Sequence, residues 1–121
     1  MAQPQQVVST VYPFLQVRVE IRGWQDEVLA LLDTGFDGDL SIPSSVLNLI
    51  LGSPDTSDNW QLADDSVVEA PVYLGTVEII GLTPIDEASI TVLGEEYLLG
   101  RGILDMFEVT FDHGERVIAK P

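Results

Sequence analysis

Apolar residues recur in this chain at the spacing of β-strands, in segments that end too soon to build a long helix. Val17-Arg18-Val19-Glu20-Ile21-Arg22 alternates apolar and polar residues, the pattern of a strand with one face in a core and the other in water. Val28-Leu29-Ala30-Leu31-Leu32 is apolar throughout and reads as a strand buried on both faces. Gly23-Trp24-Gln25-Asp26, between the two, reads as a turn. Residues 39–42 predict a short strand closed by Pro43, residues 72–80 and 89–93 two more, and Tyr97-Leu98-Leu99 a last short run before Gly100-Arg101-Gly102. Trp60-Gln61-Leu62, a polar tip Asp64-Asp65-Ser66 and Val67-Val68-Glu69-Ala70 together have the pattern of a hairpin. Residues 108–112 and 116–119 predict another hairpin around His113-Gly114. Helical spacing appears only at 43–50, with a Ser cap, and at 103–107, one or two turns. Residues 52–59 read as a turn-rich loop. Seven or more short strands with one or two short helices predict an all-β chain, a small closed barrel or sandwich.

Composition agrees with a folded chain and excludes several kinds of chemistry. At 121 residues, with no repeat, low-complexity stretch or linker, residues 1–121 read as a single domain. A chain of this size buries roughly two-thirds of its unfolded surface, and 45% hydrophobic residues suffice for a core. Acidic residues number 20 against 5 basic, a net charge of -15. That balance argues against nucleic acid and anionic membrane as partners, because both need clustered Lys and Arg. The absence of Cys removes disulfides, thiolate nucleophiles and Cys-ligated zinc. One histidine, His113, leaves no His-rich zinc site and makes a Ser-His-Asp triad improbable; His113 itself reads as a turn residue. Met1-Ala2-Gln3-Pro4-Gln5-Gln6 carries no positive charge and leads into no long apolar run, so neither a signal peptide nor a membrane span is expected, and the expected location is cytoplasmic. Carboxylate is the abundant functional group that remains.

One carboxylate stands apart by context. Asp33-Thr34-Gly35 follows the apolar run 28–32 directly, so a buried strand delivers Asp33 to the edge of the core. Thr34 adds a stiff hydroxyl, and Gly35 allows a tight turn and close approach of another backbone. The tripeptide alone also suits an ordinary turn in which Asp accepts a backbone N–H.

A second set of residues sharpens the reading. Asp33-Thr34-Gly35-Phe36-Asp37-Gly38, a Pro-started helix at 43–50, Leu62-Ala63-Asp64-Asp65-Ser66 and Leu98-Leu99-Gly100 occur in that order. Together they resemble the retropepsin-like aspartic proteases, and most of all the small soluble bacterial members with a single Asp-Thr-Gly. The resemblance covers about residues 15–119. It implies a closed retropepsin-like β-barrel and an aspartic endopeptidase without cofactor or metal, acting on peptide or protein substrates. It implies Asp33, Thr34 and Gly35 as catalytic loop, with Thr34 bracing the site and Gly35 offering backbone groups to the peptide. Residues 60–70 would be the flap, with Ala63, Asp64, Asp65 and Ser66 closing over substrate. Asp37 would pair with Arg101 of Gly100-Arg101, tying the catalytic loop to the following helix. One position departs from the family pattern: Asp65 stands where a flap-tip glycine is usual.

Peptide hydrolysis of this kind needs two carboxylates that share one proton. The chain has one Asp-Thr-Gly; Asp55-Thr56-Ser57 is a poor echo that follows no buried strand. An active protease would therefore be a homodimer with Asp33 of each copy on a two-fold axis, and the terminal segments, including Val117-Ile118-Ala119, are expected in its dimer sheet. Two other readings compete. Asp33, Asp37 and Asp39 with Gly38 suggest a calcium loop, but Gly35 and Ser44 occupy two key ligand positions. The alternative function is a catalytically inactive, dimeric binding or scaffolding module on the same fold. Trp24 and Trp60 read as packing or interface residues, because no basic groove accompanies them.

Overall fold

The structure is a computed structural model that describes residues 5–121; Met1-Ala2-Gln3-Pro4, the start of the segment read above for targeting, lie outside them. Its strands are β1 (Val7–Ser9), β2 (Phe14–Ile21), β3 (Trp24–Leu32), β4 (Leu40–Ile42), β5 (Thr56–Gln61), β6 (Val67–Ile79), β7 (Ile85–Val92), β8 (Leu98–Leu99), β9 (Glu108–Asp112) and β10 (Arg116–Lys120). A 3-10 segment covers Ser44–Leu49, and the one-turn helix α1 covers Arg101–Leu104.

Six strands close into a barrel. The order β2-β3-β8-β4-β7-β6 returns to its start through the pairing of β2 with β6. Closure removes free edges from the ring and leaves the inward face of each strand to fill the core. Alternation does this on β2, where Leu15, Val17, Val19 and Ile21 are all fully buried. Each such side chain contributes about 1.5–3 kcal/mol relative to exposure. A second sheet, β1-β10-β9, lies beside the barrel, and its Val117 and Ala119 join the same core.

Several expectations change on contact with the structure. The turn between β2 and β3 is two residues, not four: Ile21 pairs with Trp24, while Arg22 and Gly23 both take positive φ. Such a turn matches the twist of the strands it joins, so Trp24 begins β3. The run 28–32 is buried on one face only, with Ala30 and Leu32 inward and Leu29 47% exposed. The 52–59 loop ends early. Thr56 to Asn59 already pair with Val72 to Glu69, but these residues are exposed on both sides, so no apolar alternation marked the strand. Ser44 does not cap its helix; Pro43 holds the N-cap position, and the Ser44 hydroxyl donates to the Gly94 carbonyl instead. The last helix starts at Arg101, two residues before the apolar signal. The short strand β1 had no periodic signal at all.

The longest strand does double duty. The first half of β6 pairs with β5 as a hairpin, and its second half pairs with β7 and β2 in the barrel. The hairpin is thus a direct outgrowth of a barrel strand. Between Gly75 and Val77 the β6–β7 register shifts, and Glu87 on β7 takes positive φ there, a bulge that bends the strand.

Candidate active site

The end of β3 carries Asp33, and its position is set from the backbone. Leu31 and Leu32 pair in parallel with Leu98 and Leu99, and the ladder continues as the Asp33 N–H donates to the Leu99 carbonyl at 3.0 Å. The chain then turns back, with the Phe36 N–H donating to the Asp33 carbonyl at 3.2 Å. The Gly35 N–H donates to Asp33 Oδ1 at 2.9 Å, which orients the carboxylate. The ordinary Asx turn that the tripeptide could form is therefore present. Asp33 is half-buried, and Thr34 and Gly35 are exposed beside it.

A clamp from the far end of the sequence holds the next residues. Three successive amides grip the loop: Gly100 N–H on the Asp39 carbonyl, Arg101 N–H on that of Phe36 and Gly102 N–H on that of Gly38, at 2.9, 2.9 and 3.0 Å. Two glycines make the grip sterically feasible. A Cβ on Gly100 would lie 2.2 Å from the Gly38 carbonyl oxygen, and one on Gly102 would lie 1.9 Å from Asp39 Oδ1. The Arg101 side chain reaches over the same loop to form an ion pair with Asp37, both groups at least half exposed. An exposed pair contributes little by itself; the backbone clamp underneath it is the stronger constraint.

The hairpin β5–β6 ends in the three-residue loop Ala63-Asp64-Asp65. Leu62 N–H donates to the Ser66 carbonyl at 2.8 Å, and Asp65 N–H to that of Leu62 at 3.0 Å. This loop type places its last residue in the left-handed region, and Asp65 has φ 68°. Asp64 accepts from both the hydroxyl and the amide of Ser66, and the hydroxyl first, then the amide, hold its carboxyl below the usual range. The three loop residues and Ser66 are all exposed.

Sequence reasoning did not find the contacts of four residues that shape this region, Phe36, Asp39, Arg22 and Asp55. Phe36 is buried and packs on Trp60 of β5, ring centroids 5.0 Å apart, so the hairpin touches the loop after Asp33. Asp39 accepts from the Ser89 N–H on β7 at 2.8 Å. With Asp33 on Gly35, Asp37 on Arg101 and Asp39 on Ser89, the three acids of the calcium reading point to separate partners. Arg22 ties down the root of the hairpin. It donates to the Leu51 and Ser53 carbonyls and to Asp55 and lies over the Tyr73 ring at 5.2 Å. Asp55 also accepts from the Leu74 N–H, and that bond, ahead of Arg22, holds its carboxyl low. Only the turn composition around 52–55 hinted at this; the partners are far apart in sequence.

No family model matches the chain, and no curated protein does. Among solved structures, the crystal structure of a retropepsin-like aspartic protease from Rickettsia conorii is similar, with a TM-score of 0.63. The two chains are 16% identical over 96% of this one and 99% of that one. The fold is therefore the retropepsin-like β-barrel, with Asp33 on the loop after β3. Among the described residues no helix is long and apolar enough to cross a membrane.

Proposed function

We propose that the chain, as one domain with its core at about 15–119, is an aspartic endopeptidase that acts as a homodimer. The observation that carries this is the pinning of Asp33. Its backbone is held by Leu99 and Phe36, its carboxylate by Gly35, and its loop by the amides of residues 100–102. Rigid placement is what a general base or acid requires.

In this reading the Asp33 carboxyls of two copies meet and share one proton. The ionised one takes a proton from a water as its oxygen bonds to the scissile carbonyl carbon. The protonated one hydrogen-bonds the carbonyl oxygen and passes its proton to it. When the tetrahedral intermediate collapses, the C–N bond breaks, the amine nitrogen takes a proton from the pair, and a hydroxyl of the intermediate returns its proton to the pair as the C=O re-forms. The products are a carboxylic acid and an amine, and the pair again holds one proton. Thr34 and Gly35 line the site, the Asp37–Arg101 pair and Gly100 support its loop, and Ala63 to Ser66 cover the peptide.

Replacing Asp33 by Asn tests the reading. Cleavage of a peptide library by the wild type, blocked by a pepstatin-type inhibitor, is expected to vanish in D33N while sedimentation shows the dimer retained. A wild type that cleaves nothing as a demonstrated dimer sinks the proposal and leaves the binding module.

A further inference from the structure

The inference rests on reading Asp33 and the β5–β6 hairpin as a proteolytic site, and it concerns Trp60. Among the described residues, the indole N–H of Trp60 is the buried side-chain polar group that has no hydrogen-bond partner. Leaving a donor buried and unpaired disfavours that state by roughly fivefold or more, and such a group calls for a reason.

Its location supplies one. Trp60 lies opposite Val68 near the end of β5, two residues before Leu62, where the tip loop begins. Its ring tilts 48° onto that of Phe36, three residues after Asp33. The Phe36 ring packs closely on the backbone of its own loop and of the clamp: a Cβ on Gly38 would fall 2.5 Å from it, and one on Gly100 2.6 Å. Phe36 is buried against the barrel and Trp60 lies on the projecting hairpin, so Trp60 is the half of the contact that travels with the hairpin.

Two opposing effects act on this side chain. Aromatic contact and apolar burial favour the hairpin resting on the loop. The unpaired N–H favours any arrangement that offers it an acceptor. A peptide that bound between the hairpin and the Asp33 loop would carry an acceptor at every residue, its main-chain carbonyl. We propose that Trp60 is an affinity-determining residue of this site: its ring latches the empty hairpin onto Phe36, and its Nε1–H donates to a main-chain carbonyl of a bound peptide. The ligand class is thus an extended peptide, gripped by backbone rather than by side-chain identity at this point.

The test is Trp60→Phe, which keeps a ring for Phe36 and deletes the donor. The expected result has two signs. The free protein melts at a higher temperature, because the unpaired group is gone. A pepstatin-type inhibitor binds roughly fivefold more weakly, and KM rises by a similar factor while kcat stays within about twofold. A packing residue would behave in the opposite way, with a lower melting temperature and unchanged affinity, and that result overturns the proposal. Trp60→Ala removes latch and donor together and is expected to speed amide exchange at Leu62 and Asp65; unchanged exchange also counts against it. Since the chain has two tryptophans, Trp24→Phe leaves Trp60 as the sole tryptophan, selectively excited at the red edge of its absorption. A pepstatin-type inhibitor, which is bound and not cleaved, should shift the emission of this variant with Asp33 intact. Binding that bypasses Trp60, with W60F equal to wild type, refutes this inference alone. A wild type that neither binds inhibitor nor cleaves peptide refutes the proteolytic reading with it.

Discussion

Asp65 shows how one residue reports on the tip it occupies. The three-residue loop requires a left-handed residue at its last position, and glycine takes that conformation without strain. Asp65 adopts it at φ 68°, which a short polar side chain tolerates better than most. It recovers part of the strain through the hydrogen bond from Gln61 Nε2 at 3.2 Å. Asp65→Gly trades that bond and a stiffer unfolded chain for relief of strain, so its net effect should stay within about 1 kcal/mol. Asp65→Val has no such relief and should destabilise the hairpin by about 1–2 kcal/mol. Amide exchange at Leu62 and Ser66 separates the two: faster in the Val variant, near wild type in the Gly variant. Equal protection in both would mean that the tip does not depend on this conformation. The position was legible in the sequence because a hairpin tip is local, its loop residues flanked by the strands they join. The partners of Trp60 and Asp39 were not, because Phe36 and Ser89 lie 24 and 50 residues away and no spacing rule connects them.

At the scale of elements, the Asp33 loop and the hairpin depend on different long-range anchors. The loop after β3 hangs on β8 and α1, whose Leu98-Leu99-Gly100 could be read from sequence because an apolar pair before Gly is a local pattern. The hairpin hangs on Arg22 and Asp55, which could not, since an arginine in a turn carries no sign of what it will reach. Asp55 joins Arg22 on the β2–β3 turn to the Leu74 amide in β6. Its depressed carboxyl pKa links the hairpin root to pH. A folded-state value below the ordinary 3.8 means the folded chain binds this proton less readily than the unfolded chain. The stabilisation is complete above that value and is lost as pH falls through the folded-state value. Asp64, held by Ser66, and Asp112, held first by Arg116 and then by His113, add the same sign. The urea midpoint should therefore be level at neutral pH and fall below about pH 4. In Asp55→Asn the midpoint should be lower at neutral pH, and the acid fall shallower. An acid slope identical in the two proteins would show that other groups govern it.

At the scale of the whole molecule, the question is which surface could meet a second copy. Val117-Ile118-Ala119 cannot offer a strand edge, because β10 lies between β1 and β9 with both edges paired. Among the described residues the open edges of this sheet are those of β1 and β9, so a dimer sheet that includes β10 must grow from one of them. The surroundings suit association. Val8, Tyr12 and Phe111 are more than a third exposed at this end, and Tyr12 and Phe111 meet edge to face. Two of the five basic residues, Arg116 and Lys120, sit on β10 and pair across to Asp112 and Glu108, which offsets most of the acidity of this sheet. The rest of the chain opposes pairing: two copies that each carry -15 repel one another at neutral pH. Long-range repulsion is screened by salt, whose Debye length shrinks from about 30 Å at 0.01 M to about 3 Å at 1 M. The proposed dimer should therefore tighten as salt rises, and specific activity at fixed dilute protein should climb with it, because each active site needs two copies. Phe111→Asp adds a charge to the open edge and should leave a folded monomer, by sedimentation and circular dichroism, that cleaves nothing at any salt concentration. A Phe111→Asp protein that remains dimeric would move the interface away from β9. A wild type whose activity per chain is independent of dilution and of salt would break the link between pairing and catalysis, and with it the assignment of half an active site to each chain.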